Sequence, residues 1–146
     1  MRISSKGRYA IAALTEMALD ETGGYITVST LARRLDITKV YLEQVFSVLK
    51  RNGLLLSGKG AQGGYLLHSA AATITLWDIL SLTELHLAER TDKATEGLLP
   101  ELAVTVQELV FDRLDTALRA ALSSVTLADL AARVQAQRHG GNMYYI

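Results

Sequence analysis

The sequence contains no cysteine. Disulfides, thiolate zinc sites, a thiol redox switch and any cysteine-ligated iron–sulfur cluster are therefore excluded. The compartment is not fixed by this, since a chain without thiols can work in oxidising or reducing surroundings. Long apolar runs are also missing. Arg2, Lys6 and Arg8 are followed by a stretch that Glu16 and Asp20 interrupt before Gly23. Neither a signal peptide nor a membrane span is expected, and a cytoplasmic location follows by default. The three histidines, His68, His86 and His139, lie far apart and match no metal-ligand spacing. No Ser/His/Asp grouping has a nucleophile setting and no carboxylate pair stands out. No metal, no cofactor and no catalytic residue is expected, and the protein reads as a non-enzyme.

Net charge is absent too, with 15 Lys/Arg against 15 Asp/Glu, but the balance hides an asymmetry. Residues 1–68 carry nine Lys/Arg and five Asp/Glu, a net of +4, whereas residues 69–146 carry six and ten, a net of −4. A basic half beside an acidic one hints at a polyanionic partner for the first. At 146 residues, 49% apolar and 21% charged, the chain has the composition of an ordinary globular protein able to bury a core.

Three helices are expected in the basic half. Ser4 or Ser5 caps the first, whose apolar positions Tyr9, Ala10, Ala13, Leu14, Met17 and Ala18 recur at helical spacing until Thr22-Gly23-Gly24. Thr27 or Ser29 caps a short second helix with Leu31, Ala32 and Leu35 inward. After a tight turn at Asp36-Ile37, Thr38 caps a third, with Tyr41, Leu42, Val45, Val48 and Leu49 on its apolar stripe and Gly53 just past its end. Two short helices joined by so brief a turn, the second amphipathic, make a helix-turn-helix pattern.

Leu54-Leu55-Leu56 and Tyr65-Leu66-Leu67 are strand-like, and the eight residues Ser57 to Gly64 between them are too glycine-rich for a helix. This is a hairpin with a long tip, a wing. It contains a literal G-x-G-x-x-G at Gly58–Gly63, but a strand-like run and not a helix follows it, and Asp78 further on is itself a helix cap, so a dinucleotide site is rejected. Glycines instead let the backbone approach phosphates or a narrow minor groove, which attracts a cation such as Lys59. A plain flexible hairpin is the bland alternative.

Further on, Thr75 and Asp78 form a T-x-x-D capping box for a helix through Trp77, Ile79, Leu80 and Leu82. Residues 88–97 read as a loop. Pro100 opens a helix of roughly 20 residues, long for so small a protein, ending near Ser123-Ser124. Its apolar stripe includes Leu102, Val106, Leu109, Val110, Leu114 and Leu118, and the same helix of a second subunit is the economical cover. Thr126 and Asp129 repeat the cap before a last helix with Leu130, Ala131 and Val134. The fold class is mainly α: a winged helix-turn-helix domain over residues 1–86, then loop, long dimerisation helix and last helix over 87–138. Residues 139–146 form a flexible apolar tail after a Gly140-Gly141 hinge, with Met143, Tyr144, Tyr145 and Ile146 as a partner-binding end; folding back on its own dimer is the alternative.

The outward face of the third helix carries Thr38, Lys39, Glu43, Gln44, Ser47, Lys50 and Arg51. Recognition helices read base edges with their N-terminal residues. Gln44 suits adenine and Glu43 suits cytosine N4, although an exposed Glu in a helix is commonplace. Lys50 and Arg51 suit phosphates, and Arg2, Lys6, Arg8 and Tyr9 add phosphate contacts from the first helix. Gly60 and Gln62 join Lys59 at the wing tip.

The opening Met1-Arg2-Ile3-Ser4-Ser5-Lys6-Gly7-Arg8-Tyr9-Ala10, the run Tyr41-Leu42-Glu43-Gln44, Gly53-Leu54, and Ser57-Gly58-Lys59-Gly60-Ala61-Gln62-Gly63-Gly64-Tyr65-Leu66 together resemble the Rrf-type winged-helix transcription regulators. The likeness is close over residues 1 to about 80, and the long helix agrees in kind. It implies a homodimer on a pseudo-palindromic operator, with Thr38, Val40, Glu43, Gln44 and Lys59 as readers and Tyr41 beside them. Lys59 stands where the family usually has Arg, which keeps the charge but not the fork geometry. Cluster-binding members carry three cysteines in the loop before the long helix, and this loop has none. The ending, Thr126-Leu127-Ala128-Asp129-Leu130-Ala131 and Met143-Tyr144-Tyr145-Ile146, is similar to the family's cysteine-metabolism repressors. That branch implies sulfur and cysteine genes as targets and cysteine synthase as co-regulator, with Ile146 docking on that enzyme as the C-terminal Ile of serine acetyltransferase does. Two rivals remain: a regulator of other genes with a small-molecule effector bound between wing domain and long helix, and an interaction protein that inhibits an enzyme through its tail.

Overall fold

The computed structural model describes residues 2–60, 63–89 and 95–143, with the side chains of 142 and 143 left aside. Helix α1 (Ser5–Leu19) is capped by Ser4, whose hydroxyl accepts from the Gly7 N–H at 3.1 Å. Ser4 is itself held: its N–H and its hydroxyl donate to Glu84 Oε1 at 3.1 and 2.7 Å. Helix α2 (Val28–Leu35) starts at Thr27 and stops at Asp36, which adopts a left-handed conformation with φ 54. Asx residues tolerate that conformation better than most, which is how so short a turn closes. Helix α3 (Lys39–Arg51) starts at Thr38 and ends ahead of Gly53, φ 81.

Strand β1 (Leu55–Ser57) lies one residue later than the apolar run suggests, and pairs antiparallel with β2 (Tyr65–Leu67) in the register Leu55↔Leu67, Leu56↔Leu66, Ser57↔Tyr65. The wing has a third edge: Ile26 and Tyr65 exchange backbone hydrogen bonds of 2.9 and 2.8 Å. Helix α4 (Leu76–Thr83) begins with a complete capping box between Thr75 and Asp78.

The long helix runs from Pro100 to Ser123, but not as one regular α-helix. Segment α5 (Pro100–Val106) passes into a π-helical stretch, Gln107–Phe111, and then into α6 (Asp112–Ser123). The Asp112 N–H donates to the Gln107 carbonyl, and the Gln107 amide donates to Asp112 Oδ1 at 2.9 Å. The extra residue in that turn shifts the stripe, so a constant 3.6-residue period fails across it. Trp77 on α4 lies under the Arg119 guanidinium of α6, 5.2 Å from the ring centre.

Helix α7 (Leu127–Met143) departs from expectation in two ways. It continues through Gly140 and Gly141, so no hinge breaks the chain at that pair; glycine costs a helix only about 1 kcal/mol relative to Ala. It also belongs with the winged domain rather than with the long helix. Thr75 and Thr126 form a bridge, the Leu127 N–H donates to the Ile74 carbonyl at 2.9 Å, and α7 packs along α1. Tyr144, Tyr145 and Ile146 lie outside the described residues.

One core serves all of this. Leu14, Leu31, Leu42, Phe46, Leu49, Leu55, Ile79 and Leu127 are completely or almost completely buried in it. Among the described residues no helix is long and apolar enough to cross a membrane.

Candidate nucleic-acid interface

Helix α3 is anchored by its buried face and so presents the other one at a fixed angle. Leu42, Val45, Phe46 and Leu49 point into the core. Thr38, Lys39, Val40, Glu43, Gln44, Ser47, Lys50 and Arg51 are exposed on the opposite side. Val40 is 66% exposed at the first turn. An apolar side chain held out at the N-terminus of such a helix suits the methyl group of thymine. Lys39 Nζ lies 3.7 Å from Glu43 Oε1, one turn away. That pair is solvated and adds little stability. It does place a cation beside the acceptor that would face a base edge.

Tyr41 is half-buried and does not share this face. Its ring meets that of Tyr9 edge-on, with centroids 5.4 Å apart and an interplanar angle of 88°. The pair ties α1 to the start of α3, so Tyr9 and Tyr41 brace the helix while Lys6 and Arg8 flank the same end of α1. Arg8 donates to Ser5 Oγ at 3.0 Å.

The wing stands beside α3 because Tyr65 docks it there. The Tyr65 ring packs edge-on against Phe46, with centroids 5.1 Å apart and planes at 87°. Gly64 sits at φ 108, and a Cβ there would come within 2.9 Å of the Ile26 carbonyl oxygen, so this close strand crossing demands glycine. Lys39 and Glu43 of α3, Thr27 and Ser29 at the start of α2, and Gly64 and Tyr65 of the wing line a single cleft. Recognition helix and wing therefore open toward the same side. Lys59 and Gly60 are exposed at the wing's outer part, whereas Gln62 lies outside the described residues.

The residues expected at the dimer contact divide. Leu102, Leu109, Val110 and Leu114 are exposed, and Val104 with them. Val106 and Leu118 are half-buried, Leu118 beside a cavity lined also by Arg2, Ile3 and Glu84. The split occurs within each segment, between Leu102 and Val106 ahead of the π turn and between Leu114 and Leu118 after it.

Sequence reasoning missed Tyr25 and Ile26, the segment that gives the wing its third edge. Their only signal was an aromatic and a β-branched residue just before the Thr27 cap, which reads equally well as a loop end.

A helix-turn-helix with its polar helix face free, flanked by a docked basic wing, defines a winged-helix DNA-binding protein. The family profile Rrf2, described as "Iron-dependent Transcriptional regulator", matches residues 3–133, and the chain belongs to that family. Its members are DNA-binding regulators and not enzymes. The chain is 40% identical over 84 residues to the HTH-type transcriptional regulator IscR of Escherichia coli, covering 58% of this chain and 52% of that one. It thus spans about half the length of the curated relatives it matches. Among solved structures it is similar to CymR, the global cysteine regulator of B. subtilis, with TM-score 0.74 and 32% identity over 91% of this chain and 98% of that one. It is equally similar to T. potens IscR, with TM-score 0.74 and 31% identity over 99% and 97%.

The profile's description implies iron, and the donor set here does not fit it. The chain has no thiolate to offer. Among the described residues no three His, Asp or Glu side chains converge as a metal site. His86 Nδ1, at the start of the loop before α5, is engaged by Glu89 Oε2 at 3.0 Å.

Proposed function

We propose that the protein is a homodimeric repressor that lays α3 in the major groove and the wing in the minor groove of a pseudo-palindromic operator. The exposed face of α3 carries this reading. It puts Thr38, Lys39, Val40, Glu43 and Gln44 at the leading end of a rigidly packed helix, with Lys50 and Arg51 behind them for phosphates. Gln44 pairs with adenine through its amide, Glu43 accepts from cytosine, and Val40 meets a thymine methyl. Lys59 supplies the minor-groove cation. Leu102, Leu109 and Leu114, all at least half exposed, are the seam for the second subunit.

The genes it controls are, in this reading, those of sulfur assimilation and cysteine synthesis, with cysteine synthase as co-regulator. The likeness to CymR over nearly the whole of both chains supports this, as does a cysteine-free sequence that has to take its signal from something other than a thiol or a cluster.

Incubation of the purified protein with sheared genomic DNA of its source, followed by sequencing of what is retained, tests both levels. The expected result is a palindrome upstream of sulfur genes, enriched further by added cysteine synthase. A palindrome elsewhere, indifferent to the synthase, removes the cysteine assignment and keeps the DNA-binding one. No enrichment at all removes both.

A further inference from the structure

The wing is a long glycine-rich arm, and such an arm loses most of its binding energy to ordering unless something holds it beforehand. The root of this arm is gripped on both sides by Tyr25-Ile26. On one side, the Ile26 backbone bonds to Tyr65 and lies so close to Gly64 that a Cβ would not fit. On the other, the Tyr25 ring lies on Gly58. A Cβ built on Gly58 would meet Tyr25 Cδ1 at 3.0 Å, Cγ at 3.2 Å and Cε1 at 3.3 Å. The Gly58 N–H donates to the Gly64 carbonyl at 2.9 Å, which closes the root between the two grips.

Gly58 has no positive φ, so its backbone would accept Ala. A methyl group there would press on the ring, which would have to give by a few tenths of an ångström. Tyr25 itself is 51% exposed, and nothing in the core calls for an aromatic at that position. Lys59 follows Gly58 directly.

We propose that Tyr25 is a positioning residue for the wing: its ring, laid on Gly58, aims the arm that carries Lys59 and so sets the minor-groove contact. This rests on the DNA-binding reading above. It adds a residue that touches no base, and it accounts for the tight space left at Gly58.

The test uses the full-length protein and an operator recovered by the genomic enrichment. Binding is read by anisotropy, and each groove is read separately by hydroxyl-radical footprinting and by methylation interference. Tyr25→Ala is expected to weaken binding about tenfold, equivalent to roughly 1.4 kcal/mol. Minor-groove protection under the wing should vanish while major-groove protection under α3 persists. Tyr25→Phe keeps the ring face and should restore both. Gly58→Ala should weaken binding in the wild-type background and add nothing to Tyr25→Ala, because the ring it collides with is gone. The proposal is overturned if Tyr25→Ala leaves the minor-groove footprint intact, or if both footprints fade together. Amide exchange at Gly58 in the free protein gives a readout without DNA. It should accelerate in Tyr25→Ala and not in Tyr25→Phe, and unchanged exchange would sink the clamp. A wild-type protein that retains no DNA would instead sink the functional reading and leave the exchange experiment to decide the clamp.

Discussion

Helix α3 and the α5–α6 run are both amphipathic, yet one conceals its apolar stripe and the other displays it. In α3, Leu42, Phe46 and Leu49 are fully buried. In the long helix, Leu102 is 50% exposed, Leu109 55% and Leu114 59%. Helix α3 is finished within the chain, and what it leaves open is mostly polar, with Val40 the exposed apolar exception. The second is unfinished. A row of leucines in water is costly, at about 25 cal/mol for each Å² of apolar surface left uncovered, and a second copy of the same row is the simplest cover. The proposed function accordingly puts specificity where packing is complete and assembly where it is not.

The sharpest way to break this contrast is at Phe46. It is the largest fully buried side chain among the described residues, and its ring holds Tyr65 and hence the wing. Phe46→Ala should cost about 3–5 kcal/mol through lost burial and the cavity left behind. Urea unfolding followed by far-UV circular dichroism should show the midpoint fall accordingly. A loss below about 1 kcal/mol would mean that α3 is not the keystone of the core.

On the long helix the same chemistry should act on assembly and not on folding. Leu109→Asp removes an exposed leucine, so the monomer should keep its helical signal. The dimer should weaken by about 3 kcal/mol, since a fully buried leucine is worth about 1.5–3 kcal/mol and a two-fold seam counts it twice. Sedimentation equilibrium measures this directly. A dimer constant unchanged by Leu109→Asp would move the seam elsewhere on the chain.

How far these two regions were legible in the sequence differs for the same physical reason. The helix-turn-helix was readable almost to the residue. Thr38 and Thr75 mark their helix starts directly, and the structure chooses Ser4 over Ser5 and Thr27 over Ser29 for the other two. The exposed positions of α3 followed from simple periodicity. The long helix was legible as a helix but not in phase, because the π turn at Gln107–Phe111 depends on a backbone bond and a Gln107–Asp112 contact that no propensity announces. Val106 and Leu118, expected on the same stripe as Leu102 and Leu114, are half-buried within the subunit. The grip of Tyr25 on Gly58 and the return of α7 onto α1 were invisible, since both are long-range contacts made by residues with unremarkable local patterns.

A finer cut on α3 separates readers from phosphate contacts. Gln44→Ala should cost about 1–3 kcal/mol at one base pair and relax preference there alone. Lys50→Ala should weaken all sequences alike and lower the salt slope by about one. Competition binding against single-base operator variants distinguishes the two. If Gln44→Ala weakens every variant equally, Gln44 is a backbone contact and the base-reading role falls to Thr38, Val40 and Glu43.

The smallest expected effect concerns whether α7 truly belongs with the winged domain. Arg138 Nη2 lies 2.6 Å from Glu16 Oε1, and Arg34 on α2 lies 3.7 Å from Asp20 at the end of α1. Arg138 is 59% exposed, so solvent screens the pair and Arg138→Ala should cost no more than about 1 kcal/mol. Its value is positional. The Leu127 end of α7 is held by burial and by its bond to Ile74, whereas the Arg138 end has this ion pair across to α1. Removing it should speed amide exchange over the last turns beyond residue 134 and leave the first turns protected. The difference should shrink as salt rises, because the attraction being removed is screened. Uniform exchange along the whole helix would mean that α7 moves as one rigid body with the domain and that the ion pair is incidental.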